Sequence, residues 1–216
     1  LCLGCHDNTE LTDGKAVLHL PYMEGECTAC HNPHTSGFPK LLVASGNALC
    51  FTCHIDMDIK VKFPHEPATT EEGCMSCHAP HAAEYDGLIA APGGDFCLEC
   101  HDDVKAKLAS QKIQHDPVLD DMCASCHNPH GSSGEHMLVS RADELCYECH
   151  AEAQGDFNRA VVHSPVRNGN CLGCHAGHGS SEAALLKGRG VELCAGCHET
   201  LLKTGSGESE HEPFAD

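Results

Sequence analysis

The residues able to do chemistry are cysteine and histidine, and they recur in one arrangement. The clearest copy is Cys27-Thr28-Ala29-Cys30-His31-Asn32-Pro33-His34. Two thiols three residues apart, with histidine directly after the second, form the attachment signature of a c-type haem. Each thiol makes a thioether to one porphyrin edge, and the histidine sits under the iron as proximal ligand. His34 lies three residues beyond His31 and cannot swing to the opposite face of the same haem, so it is available to a neighbouring iron. A stretch that holds one haem and reaches for the next implies a chain of haems.

The signature occurs nine times and consumes all 18 cysteines. The pairs are Cys2 and Cys5, Cys27 and Cys30, Cys50 and Cys53, Cys74 and Cys77, Cys97 and Cys100, Cys123 and Cys126, Cys146 and Cys149, Cys171 and Cys174, and Cys194 and Cys197. Their proximal histidines are His6, His31, His54, His78, His101, His127, His150, His175 and His198. A disulfide framework has no reason to place histidine after every second cysteine. Four-cysteine zinc sites use such pairs two at a time, and nine would leave one over. Nine covalently attached haems c are therefore expected.

Two kinds of motif alternate. Doubled motifs, with a second histidine, begin at Cys27, Cys74, Cys123 and Cys171; plain motifs begin at Cys2, Cys50, Cys97, Cys146 and Cys194. Like motifs recur every 47 to 49 residues, the mark of a tandem array. From each doubled motif to the following plain one the spacing is always 23, whereas from plain to doubled it runs 25, 24, 26 and 25. Length varies where packing constrains the backbone least. That predicts dihaem modules over residues 19–62, 63–111, 112–160 and 161–203. A half module at 1–18 precedes them, and a tail at 204–216 follows.

Ten of the 19 histidines are not proximal. The doubled motifs supply His34, His81, His130 and His178, and the joints between modules supply His19, His65, His115 and His163. His211, 13 residues after His198, continues the joint series. Nine haems thus have nine candidate distal histidines, which points to low-spin bis-histidine iron throughout. Such iron has no open position for substrate, so an electron carrier is expected rather than an enzyme. His136 stands where other modules carry Lys40, Gly87 and Ala184, and reads as a surface residue.

Two pairings are open. In the first, His34 serves the haem at Cys50 and His19 the haem at Cys27, and so on through the modules. The haem at Cys2 is then left without a partner and His211 is spare, which a histidine crossing to the next copy of a head-to-tail homopolymer would resolve. In the second, His34 serves the haem at Cys2 and His211 closes the haem at Cys194, with no polymer needed.

Several elements must position these groups. One haem per 24 residues (216/9) leaves little protein for a conventional core, and there is no tryptophan. The expected fold is mostly irregular, with short α-helices and almost no β-structure: an elongated, haem-packed tandem-repeat array. Acids precede lysines over Asp102–Leu108, which suits a short helix, and residues 54–62 and 198–203 invite the same reading. Pro33, Pro80 and Pro129 should bend the doubled motif so as to aim its second histidine, with Gly177 looser in the fourth copy. An apolar pair follows in each module, as at Leu41-Leu42, and is expected to lie on a haem.

The net charge is −19, and nine ferric haems with ionised propionates would bring it to roughly −28. That sign disfavours nucleic acid and suits cationic redox partner proteins or acceptors such as metal oxides. No run of residues is long and apolar enough to span a membrane. The sequence opens at Leu1 rather than Met, so an export signal is expected outside this numbering. Haem attachment to this signature takes place outside the cytoplasmic membrane, which implies the cell exterior or surface, or alternatively the periplasm.

A histidine eight or nine residues ahead of a doubled motif, then an apolar pair and a plain motif, resembles the doubled CXXCH cytochrome family. The likeness is most specific in Cys30–Gly37 (CHNPHTSG) and Cys126–Ser133 (CHNPHGSS). It implies haem-mediated electron transfer with little regular secondary structure. Similar haem arrays form decahaem conduits through outer-membrane porins and extracellular cytochrome nanowires. The haem count and the unmatched terminal pieces suit the nanowire arrangement, with a monomeric periplasmic or porin-associated shuttle as the alternative. A multihaem reductase would need a haem with an open distal position.

Overall fold

The computed structural model describes residues 1–58 and 60–199. Among these are 13 short α-helices, eight 3-10 turns and two sheets of two strands each. The longest helices, Asp102–Ser110 and Gly190–His198, have nine residues. The chain is thus a succession of single turns and loops in repeated units, as the sequence implies. Among the described residues no helix is long and apolar enough to cross a membrane.

The joint histidines explain the shortest helices. His19, His65, His115 and His163 each stand at the N-cap of a one-turn helix whose second residue is proline: Leu20–Met23, Glu66–Thr69, Asp116–Leu119 and Ser164–Arg167. Proline fits the first helical turn, where its missing N–H costs nothing, and fixes the backbone just after the histidine. The helix expected after Cys100 is present, with Asp102 and Asp103 in its first turn and Lys107 in its last. The expectation at 54–62 is corrected to one 3-10 turn, Ile55–Met57. Two aspartates and two isoleucines, all weak helix formers, leave nothing to propagate it. Residues 200–203 of the third expected helix lie outside the described residues.

The chain divides into two compact units. The first comprises residues 1–100 and 123–139. In it β1 (Val17–Leu18) pairs antiparallel with β2 (Ala82–Ala83), Val17 opposite Ala83 and Leu18 opposite Ala82. The ladder continues as the His19 N–H donates to His81 O at 2.9 Å. The second unit comprises, among the described residues, 101–122 and 140–199. There β3 (Ile113–Gln114) pairs with β4 (Gly179–Ser180), and the His115 N–H donates to His178 O at 3.0 Å. In both units the residues just before a joint histidine pair with those just after the next module's doubled motif.

Plain motifs pack on the doubled motif that follows them. Asn47–Cys50 lies against Gly73–Ser76 in the first unit, and Ala142–Cys149 against Cys171–Gly173 in the second. Asn47 is the pivot of the first contact. Its Oδ1 accepts the Cys74 N–H at 2.8 Å, and its Nδ2 donates to Ala68 O at 2.7 Å. A Cβ on Gly73 would stand 1.8 Å from Asn47 Oδ1, and φ there is +51°, so both space and backbone demand glycine.

The polypeptide builds almost no core of its own. The buried hydrophobic residues described are Ala82, Ala83 and Leu108, and no large side chain is fully buried. Leu3, Leu20, Met23, Leu41 and Met75, all close to the cysteine motifs, are exposed.

Candidate haem-binding site

Each described doubled motif sets its two cysteines on a single helical turn. Cys27–Cys30 and Cys123–Cys126 are α-helical, while Cys74 and Cys171 start or lie within 3-10 turns. Residues three apart on such a turn share a face, so both thiols address one porphyrin edge. The His31 N–H then donates to Cys27 O at 2.9 Å, and His78, His127 and His175 repeat the bond at 2.9–3.0 Å.

A second repeated bond fixes the ring. Nδ1 of His31 lies 2.7 Å from Lys40 O, His78 from Gly87 O at 2.7 Å, His127 from His136 O at 2.8 Å, and His175 from Ala184 O at 2.8 Å. Nδ1–H donating to a carbonyl would turn the Nε2 lone pair toward a metal, the usual second-sphere device of a metal-bound imidazole. The acceptor is nine residues on in every copy, inside the stretch of constant length. That turn explains the constancy.

The carbonyl is aimed by a backbone in the left-handed region. Lys40 (φ 59°), Gly87 (73°), His136 (55°) and Ala184 (53°) all adopt it, as do Leu41, Leu88, Met137 and Leu185 after them. Two successive left-handed residues make a type I′ turn, which favours glycine, and a residue with a Cβ costs about 1–2 kcal/mol there. The Asn32 N–H donating to Leu41 O at 2.7 Å and the Val43 N–H to Cys30 O at 2.9 Å help offset the strain. His136 therefore matters through its carbonyl. The freedom of side chain at that position, which suggests an idle surface residue, is what a backbone role permits.

Imidazoles meet in pairs. His19 faces His54 with ring centres 6.0 Å apart, His31 faces His81 at 6.1 Å, and His78 faces His130 at 6.0 Å, all in the first unit. In the second unit His115 faces His150 at 6.1 Å and His163 faces His198 at 6.0 Å. Ordinary aromatic contacts scatter between about 4.5 and 7 Å. Five pairs agreeing to 0.1 Å need a common cause. Two metal–nitrogen bonds of about 2 Å, plus the distance from each nitrogen to its ring centre, come to about 6 Å. The residues fit an iron ligated on both faces.

The pairs correct both pairings open in the sequence. His19 meets His54 rather than His31, so a joint histidine belongs with the plain motif 35 residues on, as His115 and His163 repeat. His31 meets the second histidine of the next module, His81, and His78 meets His130 likewise. Neither pairing of His34, with the haem at Cys50 or at Cys2, is seen. Among the described residues His6, His34 and His175 face no second imidazole. His211 lies outside the described residues.

The next module also holds the joint ring. His19 Nδ1 lies 2.9 Å from Pro80 O, His65 Nδ1 2.8 Å from Pro129 O, and His115 Nδ1 2.9 Å from Gly177 O. The proline position thus supplies an acceptor for a ring 61 to 64 residues earlier, and glycine does so at the same distance. Pro80 and His81, adjacent in sequence, serve two different ring pairs. The sequence offered only a faint signal for this, the His-x-Pro at each joint.

Burial favours the neutral form at one histidine and three cysteines of the first unit. Burial, then the His78 and His65 rings, lowers the His130 pKa, favouring the neutral imidazole that binds metal. Burial pushes the Cys50 thiol up to about 11, with Cys74 beside it adding to the shift. Cys30 and Cys77 are raised by burial and then by Cys53 and Cys100 respectively. Cysteines of successive motifs are therefore near neighbours in the first unit.

No curated protein matches the chain. The family model described as the doubled CXXCH motif matches four times, at residues 19–59, 65–106, 115–155 and 163–203, together most of the sequence. With motifs made for covalent c-type haem on every repeat, the chain belongs to the doubled CXXCH motif family of multihaem c-type cytochromes.

Proposed function

We propose that the chain is a nonahaem cytochrome conducting electrons along a row of bis-histidine haems, as the subunit of an extracellular filament in which a histidine ligand crosses between copies. The observation that carries this is the set of five imidazole pairs at one separation, 6.0–6.1 Å. The 18 cysteines attach the porphyrins, and the nine histidines after them are the proximal ligands. When bound, haem supplies one-electron exchange between ferric and ferrous iron. The protein's part is to hold each ring by Nδ1, fill both axial positions and so leave no site for substrate.

The filament reading rests on how ligands are shared. His81 and His130 serve the module before their own, so the array grows by each unit lending a ring backward. A second copy can lend by the same means to His6 and His175, with His34 and His211 as the histidines to be exchanged. The charge of −19 suits cationic partners and mineral acceptors outside the cell.

Mass spectrometry of the holoprotein should give nine haem masses, and electron microscopy at moderate salt should give filaments. Filaments that shorten or vanish in His211→Ala or His34→Ala support ligands crossing between copies. Discrete monomers with nine low-spin haems would refute the filament and leave a monomeric periplasmic or porin-associated shuttle. A high-spin iron that turns over a small substrate would refute the electron-carrier reading.

A further inference from the structure

We propose that Tyr22 is a positioning residue that turns the plane of the His81 ring, giving the haem held by Cys27 and Cys30 an electronic structure unlike that of its neighbours. The proposal rests on the bis-histidine reading above and adds one residue and one site to it.

The first unit offers an internal comparison. His31–His81 and His78–His130 are equivalent pairs with equal separations, 6.1 and 6.0 Å. Their planes differ: 46° apart in the first and 20° in the second. The three joint pairs, at 17°, 14° and 23°, resemble the second. Three residues after the joint histidine the first module carries Tyr22, where the others carry Ala68, Val118 and Val166.

Tyr22 touches the odd ring. Its ring centre is 5.2 Å from that of His81, with the planes tilted by 31°. The phenol donates to Asn8 Oδ1 at 2.5 Å. Asn8 opens helix α1 (Asn8–Thr12), which Asp7 caps by accepting the Thr9 N–H at 2.7 Å. The same helix offers Leu11 O to His81 Nδ1 at 3.3 Å, longer than the 2.7–2.9 Å of the other ring bonds named above. So α1 anchors the tyrosine, and the tyrosine occupies the space His81 would sweep to come parallel with His31. Alanine or valine leaves that space open.

The consequence is electronic. Two parallel imidazole planes interact with the same iron d orbital and split the pair widely, whereas rotated planes share the interaction and shrink the splitting. A smaller splitting makes the ferric g-tensor more anisotropic and shifts the reduction potential. The Cys27 haem becomes a distinct step in the chain.

The test is low-temperature electron paramagnetic resonance of the full-length ferric holoprotein, with His81→Ala assigning the signal of that site. Wild type should show one haem's worth of a highly anisotropic low-spin signal beside a larger rhombic envelope. Tyr22→Val should move that one haem into the rhombic envelope with the low-spin total unchanged, and Tyr22→Phe, which keeps the ring, should retain it. Asn8→Ala, which releases the phenol, should weaken it and guards against a valine variant that folds poorly. An unchanged anisotropic signal in Tyr22→Val, with nine low-spin haems present, overturns the role of Tyr22. High-spin iron throughout in wild type would instead overturn the ligand reading itself.

Discussion

The two kinds of haem site are held from opposite directions. At a doubled motif the proximal ring is fixed from within its own module, by a carbonyl nine residues on. At a plain motif the ring opposite the proximal histidine comes from the joint, and it is steadied by the next module's doubled motif. The first ring is held locally, but the imidazole that faces it arrives only with the following module, as His81 does for His31 and His130 for His78. The second has both imidazoles in one module, as His19 with His54 and His163 with His198, and takes from the following module only the carbonyl that steadies the joint ring. Both kinds of site thus draw on the module that follows, the first for a ring and the second for a carbonyl.

That contrast can be broken on either side. Deleting one residue between Thr35 and Phe38 would pull Lys40 O off the His31 ring and lose the type I′ turn. We expect a loss of about 3 kcal/mol, because the turn and its hydrogen bonds from Asn32 and Val43 would go together. Adding one residue to the linker between Glu66 and Glu72, where natural spacings already vary, should cost under about 1 kcal/mol. Denaturant melts of the holoprotein compare the two.

Next in size is the docking contact. Gly73→Ala sets a Cβ against Asn47 at a backbone angle alanine avoids, and should destabilise by about 2–3 kcal/mol. Asn47→Ala leaves the Cys74 N–H without its acceptor and should cost about 1–2 kcal/mol. Equal and negligible effects of the two would argue that plain motifs do not depend on the module that follows.

Smaller again is the turn itself. Lys40→Gly and Ala184→Gly should raise the melting temperature, each relieving about 1 kcal/mol of left-handed strain, while Gly87→Ala should lower it by a similar amount. Glycine variants that destabilise would mean that the side chains, not the backbone, matter there.

The smallest effect is a pH dependence in the second unit, where Asp143 occupies the position of Asn47. The hydrogen bond from Arg141 holds the Asp143 carboxyl below its ordinary value. A depressed carboxylate contributes stability above its unfolded pKa of about 4 and loses it as pH falls through the folded value. The Arg141 side chain is 69% exposed and solvent screens the pair, although Asp143 is only 23% exposed, so melts between pH 5 and about 3 should shift only slightly. That shift should vanish in Arg141→Ala.

Much of this was legible in the sequence. The nine motifs, the alternation and the short-helix, strand-poor architecture follow from cysteine and histidine spacing alone, because covalent attachment demands fixed local geometry. The constant 23-residue interval also pointed to a built element, though not to the ring-to-carbonyl bond inside it. What could not be read was the pairing. Which histidine faces which depends on contacts such as His31 with His81, 50 residues apart, and nothing in local pattern ranks one such contact above another. His136 is the surface side chain its position implies, and the role of its carbonyl was hidden for a related reason: a carbonyl leaves no trace in side-chain identity. Tyr22 stood out only once its neighbours in space were known.

The most direct test of the account is to locate the irons. Diffraction at the iron absorption edge, or electron microscopy of the holoprotein at side-chain resolution, should place one iron between His19 and His54 and another between His31 and His81. Iron bridging His19 to His31, or His34 to His54, would contradict the ring pairs and restore the self-contained module.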